Sequence, residues 1–340
     1  MKRIIIFTLI FLSIPFIIFS QSKNVSKVGI TAAPFLEIGV GSRAIGMGGA
    51  FVATANDVSA LYWNPAGIAK MRNGQVILMH TNWLADIQFE FAGVVVPLGS
   101  FGSIGAAITS LNSGEMKIRN IEYPDGTGEI FSTNDLAIAV SYARSLTDRF
   151  SIGFNVKYIN QRIWHETATG FGLDFGTLFV TGFNGLRIGA ALSNFGTDMS
   201  MQGKDVLVFH DLDPTILGNN ERIPANLKTE SWPLPINFQF GLAMEMFQTM
   251  NNRLTLAVDA LHPYDNQESL NVGGEYAFRD MLFFRAGYRD LFLKDGEQSF
   301  TFGAGIANRF FGNVNIQFDY AYTDFGRLEN TQQFSLMITF

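Results

Sequence analysis

Arg149–Tyr158 reads RFSIGFNVKY, and its two faces decide the fold. Phe150, Ile152, Phe154, Val156 and Tyr158 fall on one face, with Ser151, Gly153, Asn155 and Lys157 between them on the other. Strict alternation of this kind marks a β-strand with one apolar side. The pattern returns in Ser299–Ile306, in Val314–Tyr322 and in Gln333–Phe340. Repeated segments of about ten residues, apolar on one face and small or polar on the other, are the signature of a transmembrane β-barrel. A soluble sandwich also alternates, but its strands usually run to about 5–6 residues. Lys157, Asp174, Asp259, Arg285 and Asp319 lie mid-strand on the polar face. A wet lumen would accept those charges, whereas Arg or Lys facing lipid at the midplane costs about 2–4 kcal/mol.

Composition agrees with a membrane barrel. The 340 residues are 47% hydrophobic, 14% aromatic and only 16% charged, where a soluble domain has about 25% charged residues. The 33 Phe and 34 Gly suit strands that meet lipid on one side and pack closely on the other. A net charge of −6 gives no case for nucleic acid. The absence of cysteine excludes disulfides, thiolate metal sites and a lipobox. His80, His165, His210 and His262 are scattered without ligand spacing, so neither a metal site nor a cofactor is expected. Lys2 and Arg3 precede an apolar run from Ile4 to Phe19 and a small residue, Ser20. That is a secretory signal peptide over 1–20, cleaved near Ser20-Gln21, and Pro15 and its length argue against a membrane anchor.

Fifteen candidate strands can be counted from residue 76 onward, but single-chain bacterial barrels have an even number. Loop lengths resolve the parity, because short turns face the periplasm and long loops face outward. Reading back from Phe340, the long connections all fall on one side if 103–121 is one strand interrupted at Leu111-Asn112-Ser113-Gly114. Residues 161–168 then form one of the outer connections. The expected fold is all-β: a fourteen-stranded antiparallel barrel over 76–340 whose third strand carries a kink at Asn112, Ser113 and Gly114. Asn, Ser and Gly are residues that a bulge needs. The outer connection 196–235 is far longer than the rest and carries an apolar patch, Val206-Leu207-Val208-Phe209. Loops of that length are usually functional or disordered, and this one is a candidate partner surface.

Gly41–Ile68, GSRAIGMGGAFVATANDVSALYWNPAGI, has no strand alternation. A ring of fourteen strands is too wide to be filled by its own side chains, so the segment 21–75 is expected to be a hatch inside it. Asn64 suits an N-cap and Pro65 the first helical position, giving two short helical turns joined at a corner. Arg43 and Asp57 are expected to pair with lumen groups such as Asp174 or Asp319. Gly39-Val40-Gly41 and Gly46 lack the spacing and the βαβ context of a dinucleotide fingerprint. No nucleophile with a nearby base stands out, so no catalytic residue and no enzyme activity is expected.

Arg43, Met47-Gly48-Gly49-Ala50, Asp57 and Tyr62-Trp63-Asn64-Pro65-Ala66 together resemble the N-terminal signature of PorV/PorQ-type outer-membrane proteins, within the fatty-acid-channel (FadL-like) barrels. The resemblance implies a bacterial outer-membrane barrel with an Asn-Pro-Ala hatch and, in the fatty-acid channels, a kinked third strand. The terminal Phe340 resembles the signal read by the barrel assembly machinery. Two functions follow from the resemblance. PorV-type members act in type IX secretion, where they bind the C-terminal signal domain of cargo and work with other secretion components. FadL-like members pass hydrophobic small molecules, which leave sideways at the strand-three kink. The first is the favoured expectation, with outer-membrane lipid as the surrounding partner.

Overall fold

A computed structural model describes residues 27–213, 215, 222–293, 296–310 and 314–340. The signal peptide expected over 1–20 lies outside the described residues, as do Pro214 and Gly218-Asn219-Asn220 of the long connection. The wall is a ring of fourteen antiparallel strands. In chain order these are β1 (Gln75–Asn82), β2 (Gln88–Pro97), β3 (Ser103–Lys117), β4 (Ile130–Ser145), β5 (Phe150–Ile163), β6 (Glu166–Val180) and β7 (Arg187–Gly196). The long connection contributes three short strands, β8 (Gln202–Gly203), β9 (Leu207–His210) and β10 (Ile223–Asn226). The wall resumes with β11 (Asn237–Gln248), β12 (Asn252–Pro263), β13 (Ser269–Phe278), β14 (Leu282–Leu291), β15 (Phe300–Phe310), β16 (Val314–Asp324) and β17 (Asn330–Thr339). Pairing of β1 with β17, from Gln75↔Thr339 to Asn82↔Gln332, closes the ring and leaves no wall strand as an edge. Among the described residues no helix is long and apolar enough to cross a membrane.

The wall is inside-out relative to a soluble protein. Along the middle of β5 Phe154, Val156 and Tyr158 are exposed, while Gly153, Asn155 and Lys157 are buried. The apolar set therefore faces lipid and the small or polar set faces the lumen. Mid-strand Phe318, opposite Ile306 and Leu336, belongs to the outer set. Phe318→Arg is expected to destabilise the folded barrel by about 2–4 kcal/mol. Urea unfolding in lipid vesicles checks this, and a neutral result would place Phe318 away from the hydrocarbon.

Two differences from the sequence reading stand out. The lumen is not wet at the level of the mid-strand charges: Lys157, Asp174, Asp259, Arg285 and Asp319 are all buried. Residues 33–71 fill that space, so the charges are held by partners rather than by water. The β5–β6 connection is also only Trp164-His165, because pairing continues out to Ile163↔Glu166. Polar Gln161 and Arg162, paired with Ala168 and Thr167, conceal strand at the outer rim, where lipid no longer demands an apolar face.

Candidate functional site

The hatch enters the barrel from the outer mouth and leaves at the periplasmic end. At the outer end, the Lys27 backbone N–H donates to the Asp265 carbonyl (3.0 Å) and Ala32 N–H to the Pro233 carbonyl (2.8 Å), both on outer connections. At the other end, Lys70 Nζ donates to the Asp148 carbonyl (2.6 Å) in a periplasmic turn, and β1 starts five residues later. Between these ends lie four short helical turns, Pro34–Glu37, Ser42–Gly46, Ala60–Trp63 and Pro65–Lys70. Ser42–Gly46 packs against β14–β17, and Pro65–Lys70 packs against β3–β6 across the lumen. Irregular backbone at membrane depth is tolerated only where protein satisfies its polar groups, and wall side chains do so here. Asp259 Oδ2 accepts from the N–H groups of Phe51 (2.7 Å) and Val52 (2.8 Å). Gln75 Oε1 accepts from Val58 N–H (3.0 Å), and Asn155 Nδ2 donates to the Leu61 carbonyl (2.6 Å).

The corner at Asn64 is fixed from three directions. Its side-chain oxygen accepts from Ala66 N–H (3.1 Å), while Nδ2 donates to the Val52 carbonyl (2.9 Å) and to the Thr177 carbonyl on β6 (3.0 Å). Pro65 follows at the start of the next turn, where a missing N–H costs nothing. Tyr62 and Trp63 meet edge-to-face at 5.1 Å, and Trp63 Nε1 donates to the Val40 carbonyl (2.8 Å). Burial raises the Tyr62 phenol above its usual pKa, against the lowering influence of Arg289. The wall is glycine where the hatch backbone touches it. A Cβ on Gly273 would overlap the Met47 carbonyl, and one on Gly287 would overlap the amide of Gly48. Gly48 itself has φ +68°, a conformation that glycine adopts without a steric cost.

Arg43 heads a buried chain of ion pairs. Its Nη1 donates to Asp57 Oδ2 (2.8 Å) and to Asn56 Oδ1 (2.7 Å). Its Nε and Nη2 fork onto Glu275 of β13 at 2.8 and 3.0 Å. Glu275 Oε2 also accepts from Arg285 Nε (2.8 Å), and Arg285 Nη1 reaches Asp319 Oδ1 (2.7 Å). The hatch is thereby tied to β13, β14 and β16 in one network. Arg43 and Asp57 pair with one another rather than with Asp174, and Asp319 is reached only through Glu275 and Arg285. Asp174 instead holds Lys157 (2.8 Å) and accepts from the Asn194 N–H (2.8 Å). Glu275 escaped the sequence reading, although its place among Asn271, Gly273 and Ala277 on one face of β13 marks it as lumenal.

Asn112, Ser113 and Gly114 form a bulge rather than a turn. β3 continues through them, and its register against β4 shifts between Asn112↔Asn134 and Glu115↔Ser132. Asn112 Oδ1 accepts from Gly114 N–H (2.7 Å), and Gly114 takes φ +70°. The β2–β3 ladder is continuous over ten pairs up to Gln88↔Asn112, so the bulge lies beyond the end of β2. The long connection is anchored at both ends: Met199 and Leu234 are buried, and Met199 bridges to Trp232. Its tip is the β9–β10 hairpin, where Leu207 and Phe209 are exposed and Val206 and Val208 are half-buried. Phe340 is exposed at the periplasmic rim, its N–H donating to the Gly74 carbonyl (2.9 Å). Among the described residues no cluster of His, Asp and Glu could hold a metal.

Above the hatch the mouth holds a cavity of about 210 Å³. Leu36, Glu37, Tyr62 and Trp63 line it from the hatch, with Asn194, Asn237, Asn271 and Arg289 from the wall and Asp265 and Gln298 from the outer connections. Glu37 has an accessible face, but that face opens into the cavity. Burial within the lumen, with Asp265 nearby, pushes its carboxyl up to about 7.

Residues 20–204 match a protein family described as the type IX secretion system protein PorV. No curated protein matches the sequence. Among solved structures, the toluene transporter TbuX of Ralstonia pickettii is similar over 88% of this chain and 97% of its own, with 13% identity and a TM-score of 0.55. The toluene transporter TodX of Pseudomonas putida is similar over 88% and 97%, at 12% identity and a TM-score of 0.55. A FadL homologue of Pseudomonas aeruginosa is similar over 88% and 98%, at 13% identity and a TM-score of 0.53. At these identities the likeness concerns the fold, a FadL-like barrel of the bacterial outer membrane.

Proposed function

The chain belongs to the PorV family of type IX secretion proteins, and from that premise we propose that it holds the C-terminal signal domain of secreted cargo at the outer face of the membrane. The observation that carries this reading is the division between a filled lumen and an apolar outer tip. The hatch is bonded to the wall from the outer mouth to the periplasmic turns, which suits a barrel that works through its outer surface. On that surface Leu207, Phe209, Leu212 and Leu227 stand exposed on or beside the β9–β10 hairpin. Exposed apolar groups rimmed by polar ones are typical of protein-binding sites. The anchors at Met199 and Leu234 give the hairpin a rigid base.

The test is to replace residues 204–227 by a short Gly-Ser link, retaining both anchors. Purified barrel is then titrated with an isolated cargo signal domain. Binding is expected to fall by about ten-fold or more while the barrel keeps its heat-modifiable migration, a loss of the size that interface anchors carry. Unchanged binding would overturn the reading. Lateral passage of hydrophobic compounds has less to rest on, because the wall beside the β3 bulge is paired on both sides up to the end of β2.

A further inference from the structure

The outer cavity contains polar groups that the fold itself leaves without partners. Asn271 is fully buried, yet its Nδ2 has no hydrogen-bond partner. The same holds for Arg289 Nε, Asn237 Oδ1 and Gln298 Oε1, and all four side chains line this one cavity. A buried polar group without a partner costs about 1–3 kcal/mol, so groups of this kind favour a polar molecule, water or ligand, that enters the cavity. Beside the cavity, Lys157, Asp174 and Asn194 bond to one another. Arg289 and Asn271 offer unpartnered donors, and the acids that line the cavity are Glu37, Asp265 and Asp290.

We propose that this cavity is an outward-facing binding site for a small zwitterion of amino-acid size, whose carboxylate meets Arg289 and Asn271 and whose ammonium meets Glu37 and Asp265. Charge-assisted contacts of both signs select a molecule bearing both charges over one bearing either. The volume suits such a ligand better than a drug-sized one, whose pockets run to about 300–1,000 Å³. The closed hatch beneath makes the site a receptor rather than an entry to a pore. The site stands independently of cargo binding, since the β9–β10 hairpin contributes nothing to its lining. An ammonium beside Glu37 favours the ionised carboxylate, so binding strengthens as pH rises through 7. The other charged and titratable groups facing the cavity are Lys157, Asp174-paired on β5, Arg289 and Asp290 on β14, Asp265 on the β12–β13 connection and Tyr62 on the hatch.

Isothermal titration of the full detergent-solubilised barrel with L-alanine and with glycylglycine tests the proposal, with acetate and methylamine as single-charge controls. Binding of either zwitterion is expected, with both controls weaker by about ten-fold or more. Arg289→Gln should cost about ten- to a hundred-fold in affinity. Glu37→Gln should weaken binding and flatten its rise between pH 6 and 8, a profile that a merely structural role would not move. Thermal melting confirms that each variant is folded. A cavity that takes up neither zwitterion, or one whose affinity ignores both substitutions in folded protein, would overturn the proposal. Zwitterion binding that survives replacement of residues 204–227 would show that it does not depend on the cargo surface, whereas binding lost with that replacement would overturn the independent site.

Discussion

Glu275→Gln is expected to unlock the hatch while leaving the barrel wall intact. Glu275 is the hub of the buried network, accepting from Arg43 at 2.8 and 3.0 Å and from Arg285 at 2.8 Å. The amide keeps the volume and one acceptor oxygen but removes the charge. Arg43 and Arg285, with the more distant Arg253, would then share the remaining carboxylates, Asp57, Asp319 and Asp280, in a largely buried place. Breaking a buried ion pair by removing one partner costs about 3–5 kcal/mol. The cost falls on the docked hatch, because Arg43 can leave it by moving out with the hatch. At about 1.4 kcal/mol per factor of ten, the undocked population should rise by roughly two to three and a half orders of magnitude. Vesicles reconstituted with the variant should leak small solutes, and protease should cut within residues 33–71. Arg43→Ala should leak less, since Glu275 retains Arg285 and Arg253, and Asp57, which like Asn56 loses Arg43, keeps its bonds to Ser59. Equal tightness of wild type and Glu275→Gln would remove the network from any role in holding the hatch.

How much of this could be read in advance depends on the kind of order involved. Alternation is local, so the facing of Phe154 against Asn155, and of Phe318 against Asp319, was legible residue by residue. Strand number followed from loop parity and agrees with the fourteen-stranded ring. The corner at Asn64-Pro65 was legible because capping is also local. Partners across the lumen were not. Which wall strand meets Arg43 depends on the path of the hatch through a space bounded by all fourteen strands, and no spacing in the chain encodes that path. The same ignorance made a wet lumen seem the natural home for Asp174 and Asp259, when the hatch backbone bonds Asp259 and the wall residues Asn155 and Lys157 bond Asp174. One trace of the packing was present throughout: the 34 glycines. Several alternate with polar residues on lumen faces, as Gly153 does beside Asn155, where the hatch backbone comes too close for a side chain.

That close approach gives the second large effect. Gly287→Leu should expel the Met47-Gly48 segment from the wall of β14 without preventing barrel assembly. Even a Cβ at position 287 would overlap the Gly48 amide and the Met47 carbonyl carbon. Both obstacles are backbone, so no rotamer change relieves them. Overpacking a core costs about 1–3 kcal/mol when side chains can shift, and a clash with fixed backbone should exceed that range. The strand itself tolerates the change, since leucine has no special difficulty in a pleated sheet and Gly273 opposite offers no bulk. Ala286→Leu is the matched control: it lies on the same strand one residue away, with its side chain among the lipid-facing exposed set. The control should assemble, resist protease and stay tight. Gly287→Leu should assemble with the same heat-modifiable migration, yet conduct ions in planar bilayers and expose the hatch to protease. If both variants stay tight, the wall glycines are not what seats the hatch, and the seal must lie with the ion network and the Asn64 corner alone.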